Sequence, residues 1–184
     1  MAFRASRRRR FSLGIAAVAA VEMGLIAPLL STMVTMFVDI GKAYQQQTQI
    51  ISAVSNGAEF AYLGAKNGTA PATIVSEITS EVVAASNSLL TSSNVSISVN
   101  DTPITAATTT AELTGYWADR CCLSGGAGSA VSWSCSSGAT SCADGSNPGL
   151  YVTVTASKPF TPYFAADARL TGKNLVSSIT SRIE

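Results

Sequence analysis

Three patterns of apolar and polar positions succeed one another along the chain. Residues Leu13 to Val38 read LGIAAVAAVEMGLIAPLLSTMVTMFV, apolar on every side and carrying one charge. As a helix rising ~1.5 Å per residue this run is roughly 39 Å long, enough to cross a ~30 Å hydrocarbon core. From Asp39 the pattern becomes one-sided. Ile40, Ala43, Tyr44, Ile50, Ile51, Val54, Ala58, Ala61, Tyr62 and Ala65 recur at spacings of three and four, with Gln45 to Gln47 and Gln49 mostly between them. Asn67-Gly68 is a terminator. The pattern predicts one long helix over Leu13–Lys66. It is expected to be discontinuous, because Pro28 removes a backbone donor and Gly41, Gly57 and Gly64 weaken or bend it.

The third pattern mixes a short helix with alternating segments. Pro71 to Leu90 predicts a second helix, with proline in the first turn and Ile74, Val75, Ile78, Val82, Ala85 and Leu89 along one face. Glu77 and Glu81, four residues apart, mark a wet face. Asn94 to Val99 alternates as a half-buried strand, and Asp101 to Thr110, rich in Thr and Ala, reads as a loop. Leu150 to Ser157 alternates more clearly. The following Lys158-Pro159-Phe160-Thr161-Pro162-Tyr163-Phe164 cannot be a central strand. Leu175 to Ile183 predicts a final strand with Val176, Ile179 and Ile183 as core candidates. The expected fold class is α+β: a long N-terminal transmembrane helix continuing into a small head. That head has a second helix, a short and mostly antiparallel sheet packed on the distal half of the long helix, and a disulfide-stapled loop.

Charge sharpens this picture. Arg4 and Arg7 to Arg10 crowd the first ten residues, whereas beyond Ala17 seven basic residues face eleven acidic ones, a net charge of −4. The arginines predict a cytoplasmic N-terminus, with everything after the apolar run outside the cytoplasm. The body has no basic footprint, so no nucleic-acid partner is expected. A removable signal peptide is the main competing reading, since Ala17-Val18-Ala19 resembles a small-residue cleavage site. The apolar run, however, continues well past the length of a signal core.

The chain has no histidine, which removes the commonest general base and nitrogen ligand. Lys158 and Lys173 leave a Ser–Lys arrangement conceivable, but nothing marks a nucleophile and no glycine-rich phosphate cradle follows a strand. Neither catalysis nor a cofactor is expected.

Glu22 is a carboxylate inside the apolar run, a costly placement that ordinarily implies a partner or a function. The stretch Glu22-Met23-Gly24-Leu25-Ile26-Ala27-Pro28 resembles the E-F-A-L-x-x-P signature of TadE-like proteins, the pseudopilins of tight-adherence pili. Met23 and Gly24 stand where the family has an aromatic and an alanine. Gly41, Tyr44, Ala58 and Ala61 fit the family loosely beyond the membrane. The Val-x-Val of the penultimate strand and the Pro-Phe-x-Pro-like turn after it resemble the distal part of TadE-like domains. The resemblance implies cleavage by a prepilin peptidase that leaves the glutamate fifth, hence between Ala17 and Val18, although the family usually has glycine before the cut; Gly14 is available, but a cut after it would place Glu22 eighth. It also implies partners among the inner membrane, other pilin subunits and the tight-adherence assembly machinery. A new amino group at Val18 could neutralise Glu22 of a neighbouring subunit. The expected divisions are a leader over 1–17, a transmembrane helix over 18–38 and an extracytoplasmic pilin-like domain over 39–184. The expected function is that of a minor pilin or pseudopilin; the alternative is an unprocessed membrane-anchored periplasmic binding or scaffold protein.

Cys121, Cys122, Cys135 and Cys142 lie in an expected insertion over 111–149 whose Ser/Gly-rich part offers little apolar area to order itself. Outside the cytoplasm an even count points to two disulfides. A Cys121–Cys122 bond needs unusual local geometry, so each is expected to pair with Cys135 or Cys142, in either order. Zinc is the weaker reading, because the adjacent pair lacks the usual ligand spacing. Tyr116, Trp117 and Trp133 flank the loop, either packed beneath it or exposed for contact.

Overall fold

A computed structural model describes residues 9–124, 132–138, 140–164 and 172–183, with side chains from residue 17 onward. Two compact units emerge. One comprises the described residues up to Ala43 together with Thr161 to Phe164; the other comprises Tyr44–Phe160 and the residues from Gly172 onward. The class is α+β, as the alternating and helical patterns predict.

Helix α1 spans Arg9–Lys66. The expected discontinuity is absent: the helix runs unbroken through Pro28 and all its glycines. A proline deletes one backbone bond of a long ladder, which the neighbouring turns tolerate. Gly57 and Gly64 are packing positions rather than weak points. A Cβ on Gly57 would lie 2.4 Å from Cγ2 of Val82, and one on Gly64 would lie 3.0 Å from Cγ1 of Ile74. These two glycines let helix α2, Pro71–Ala85, approach the α1 backbone closely. The buried face of α1 in the head is Ile50, Ala53, Val54, Gly57, Ala58, Ala61 and Gly64, at helical spacing. Ile40, Tyr44, Ile51 and Tyr62, expected on the apolar face, are exposed instead.

Helix α2 stops short of the expected Leu90. Ser86, Asn87 and Ser88 form a turn in which Asn87 and Ser88 have φ of 51° and 64°. The buried Ser86 hydroxyl donates to Val83 O at 2.7 Å and accepts Leu90 N–H at 3.1 Å. A side chain that satisfies the backbone locally competes with the helix and ends it. Leu90 still reaches the core, but from the turn.

The main sheet has strand order β2-β1-β5-β6, all antiparallel. Its strands are β1 (Val95–Val99), β2 (Thr102–Ile104), β5 (Tyr151–Pro159) and β6 (Asn174–Arg182). Asn100 and Asp101, with φ of 51° and 66°, make the two-residue turn between β1 and β2. The segment read as a loop from Asp101 thus begins with a strand. Val152, Val154 and Ala156 of β5 and Ile97 and Val99 of β1 pack with Ile50, Ala53, Val54, Ile74, Ile78 and Val82 in one core. In β6 the inward residues include Leu175 and Ile179, whereas Val176 is exposed. Val176 and Ile179 are separated by an odd number of residues and cannot share a strand face.

Pro159 is tolerated at the end of β5 for a geometric reason. Phe160 N–H donates to Lys173 O at 2.8 Å, toward β6, so position 159 turns its missing donor to the other side. On that side β1 has already ended, since its first residue, Val95, pairs with Ala156.

The segment expected as an insertion over 111–149 is more ordered than a loop. It contains helix α3 (Thr110–Ala118) and a hairpin of β3 (Arg120–Ser124) and β4 (Ser132–Ser136). Thr109 and Glu112 form a capping box: Glu112 accepts Thr109 N–H at 2.8 Å, and the Thr109 hydroxyl accepts Glu112 N–H at 3.3 Å. The bonds from Thr109 hold the Glu112 carboxyl below its ordinary pKa. Loss of the N-cap hydroxyl in Thr109→Ala should cost about 1 kcal/mol in a denaturant melt. The carboxylate's contribution is present above its unfolded pKa and lost as pH falls through the lower folded value. An acid titration of the wild type should accordingly show the α3 amide signals loosening only below the ordinary Glu range.

Candidate functional site

The apolar part of α1 offers its side chains outward. Val18, Leu25 and Phe37 are 60%, 76% and 69% exposed, and the most apolar window of the helix has a mean hydropathy of 1.8 with none of it buried in the protein. A helix hydrophobic all round and covered by none of the described residues suits an apolar surrounding. Length and composition fit a membrane anchor.

Glu22 lies on this exposed surface. Ala17, Val18, Val21 and Glu22 line one shallow groove along the helix. Val18 and Glu22 are four apart and stand on the same face. Pro28 follows inside the helix. The arginines Arg4, Arg7 and Arg8 lie outside the described residues.

A second arrangement, which the hydrophobic pattern did not single out, sits where the apolar run ends. Asp39 is fully buried, and its carboxylate accepts the backbone N–H of Tyr163 at 2.7 Å and of Phe164 at 3.3 Å. One turn on, Lys42 Nζ donates to Thr161 O at 2.8 Å and lies 3.5 Å from the centroid of the Tyr163 ring. An acid and a base three residues apart thus grip both polarities of one backbone turn. The signal available in the sequence was Asp39 itself, the first charge after the apolar run.

The third arrangement is the cystine hairpin. Cys121 pairs with Cys135 and Cys122 with Cys142. Successive strand residues point to opposite faces, so the adjacent cysteines serve separate bonds. Cys121 exchanges both backbone bonds with Gly149 rather than with β4, which makes Cys121–Cys135 a non-hydrogen-bonded pair with Cα atoms 4.0 Å apart. That is the closer class of cross-strand pair. The Cys122–Cys142 bond ties the hairpin to the turn at Cys142 to Ser146. There, Asp144 accepts the Ser146 hydroxyl at 2.7 Å and its N–H at 3.0 Å, which lowers the Asp144 pKa. Each bond closes a short loop and restricts the unfolded chain. Trp133 meets Tyr151 edge-on at 5.4 Å, and Tyr116 and Trp117 pack on the core, so all three flanking aromatics have packing roles.

Asn100 fastens the insertion to the sheet. It is 6% exposed, and its side-chain amide donates to Tyr116 O and Asp119 O, each at 3.0 Å, while its carbonyl accepts Tyr151 N–H at 3.0 Å. Lys158, considered above as a partner for a nucleophilic serine, instead donates to Leu89 O at 2.5 Å.

No curated protein and no solved structure matches the chain. The profile of the family described as TadE-like protein matches residues 17–59. The match lies entirely within α1 and takes in Glu22, Pro28, Asp39 and Lys42. It agrees with the resemblance read from Glu22 to Pro28. Over residues 17–59 the chain is thus similar to the family described as TadE-like protein.

Proposed function

We propose that this chain is a minor pilin or pseudopilin of a tight-adherence pilus, entering the filament or its assembly complex through α1. The observation that carries the proposal is the unburied apolar helix bearing a carboxylate, Glu22, within the TadE-like segment. In this reading a prepilin peptidase removes residues 1–17. Val18 to Val38 anchors the subunit in the inner membrane, and residues 39–184 stand outside the cytoplasm. The new amino terminus at Val18 and Glu22 of an adjacent subunit neutralise one another among packed helices, which offsets the cost of holding either charge in lipid. The head makes the outward contacts, with the cystine hairpin as the part most particular to this subunit. The disulfides suit an oxidising compartment.

Intact mass and N-terminal sequence of the protein from its native membrane test the proposal. A chain beginning at Val18 and retaining the apolar helix is the expected result. A chain beginning at Met1 would overturn processing and leave an anchored binding or scaffold protein. A start beyond Val38 would make the apolar run a removable signal. Glu22→Ala should lower the amount recovered in sheared filaments while leaving the membrane level of the processed chain unchanged.

A further inference from the structure

We infer that the Thr161–Phe164 turn is a second membrane contact, an aromatic anchor held at the outer lipid boundary by Asp39 and Lys42. The inference rests on α1 being the membrane anchor.

The placement follows from the helix. Val18 to Val38 rises roughly 32 Å, which nearly spans a ~30 Å hydrocarbon core. Asp39 and Lys42 therefore lie at the boundary or within one turn of it. A turn whose backbone is hydrogen-bonded to both is held at the same level. Both attachments fall inside one compact unit of the chain.

The exposed chemistry suits that level. Tyr163 is 70% exposed and Phe164 57%, and Phe37 on the adjoining turn of α1 is 69% exposed. Aromatic rings concentrate at the headgroup region, where an apolar body and a polar edge are both satisfied. Tyr163 has a hydroxyl for the wet side, and the Lys42 ammonium beside its ring suits a boundary rich in phosphate. The attachment also explains the buried Asp39. An unpaired carboxylate at the edge of lipid is costly, whereas this one accepts the N–H groups of the two residues whose rings project outward. Those N–H groups, satisfied by Asp39, can then sit near the hydrocarbon without a hydrogen-bonding penalty.

The test places a tryptophan at Phe164 in the full chain, with Trp117 and Trp133 replaced by phenylalanine, in vesicles whose lipids have bromines just below the headgroups. Phe164→Trp should lose at least roughly twofold of its emission to these bromines, and less to bromines at the bilayer centre. Adding Asp39→Ala should free the turn and abolish most of the quenching. Phe37→Trp in the same background reports on the helix alone. Quenching at 37 without quenching at 164 would overturn the second contact and leave the anchor standing. An absence of quenching at both would overturn the anchor and this inference together. Blue-shifted but unquenched emission at 164 would assign the turn to a protein neighbour and overturn a lipid contact. The unsubstituted chain supplies an independent measurement should the tryptophan background fail to fold. A headgroup-proximal photoreactive lipid should then leave adducts on Tyr163 or Phe164, and adducts confined to α1 would count against the proposal.

Discussion

Gly57→Leu should abolish the cooperative unfolding transition of the head at temperatures where the wild type is folded. The backbone of α1 passes so close to α2 that even a methyl group at 57 would lie 2.4 Å from Cγ2 of Val82 and 3.4 Å from Cγ2 of Ile78. Both neighbours are fully buried and β-branched, with few rotamers available for retreat. Separating the helices would open a gap elsewhere in the same core, because Val154 of β5 is the third neighbour, at 3.7 Å. Gly57→Ala separates two opposing effects. Alanine favours the helix by about 1 kcal/mol over glycine, while overpacking costs about 1–3 kcal/mol. The geometry favours a net loss, read in a urea melt of the full chain in detergent. Leucine adds three further heavy atoms to the same overlap, so its cost should exceed about 4 kcal/mol. Val82→Ala removes the clashing methyl and should make Gly57→Ala far less harmful in the double variant, a coupling of about 1–2 kcal/mol. Gly41→Ala, where a Cβ meets nothing within 4 Å, is the control and should be neutral or stabilising. Equal losses at 41 and 57 would show that helix flexibility, not interhelical distance, is what the glycines provide.

This pair of positions illustrates what the sequence made visible. The periodicity located α1, α2, β1, β5 and β6, because each buries one face against a common core and so must repeat at 3.6 or 2.0 residues. It misread Gly57 and Gly64, since an interhelical approach is a relation between two segments and has no signature within either. It placed Val176 inward with Ile179, although strand alternation puts the two on opposite faces. The short β2 and the helix α3 were read as loop, although local chemistry rather than periodicity marks both. Asn100-Asp101 is a hairpin turn pair, and Thr109-x-x-Glu112 is a capping box. At the membrane end, Glu22 was visible because a charge interrupts an apolar run. Asp39 was not, because its importance lies in a turn 124 residues away.

Asn100→Leu should destabilise the head by about 3–5 kcal/mol and loosen the cystine hairpin from the sheet. The side chain has the same branching and number of heavy atoms, so the loss would come from polarity and backbone rather than a void. Leucine would leave Tyr116 O, Asp119 O and Tyr151 N–H without the bonds Asn100 provides, in a site already 6% exposed. It would also adopt φ of 51°, a left-handed conformation costing a branched residue about 1–2 kcal/mol. Asn100→Gly keeps that conformation without strain, so its loss reflects the missing hydrogen bonds and the vacated side-chain volume rather than the backbone. Asn100→Asp keeps the acceptor for Tyr151 N–H but points a carboxylate oxygen at two carbonyls. Its folded-state pKa should therefore rise above the unfolded value. The sign of the linkage follows: the aspartate variant should be closest to wild type below its unfolded pKa and lose stability as pH rises through the folded one. A pH series of melts that showed no such divergence between the aspartate variant and the wild type would mean that water replaces the amide at Tyr116 and Asp119. The insertion would then be held to the sheet chiefly by the exchange of backbone bonds between Cys121 and Gly149.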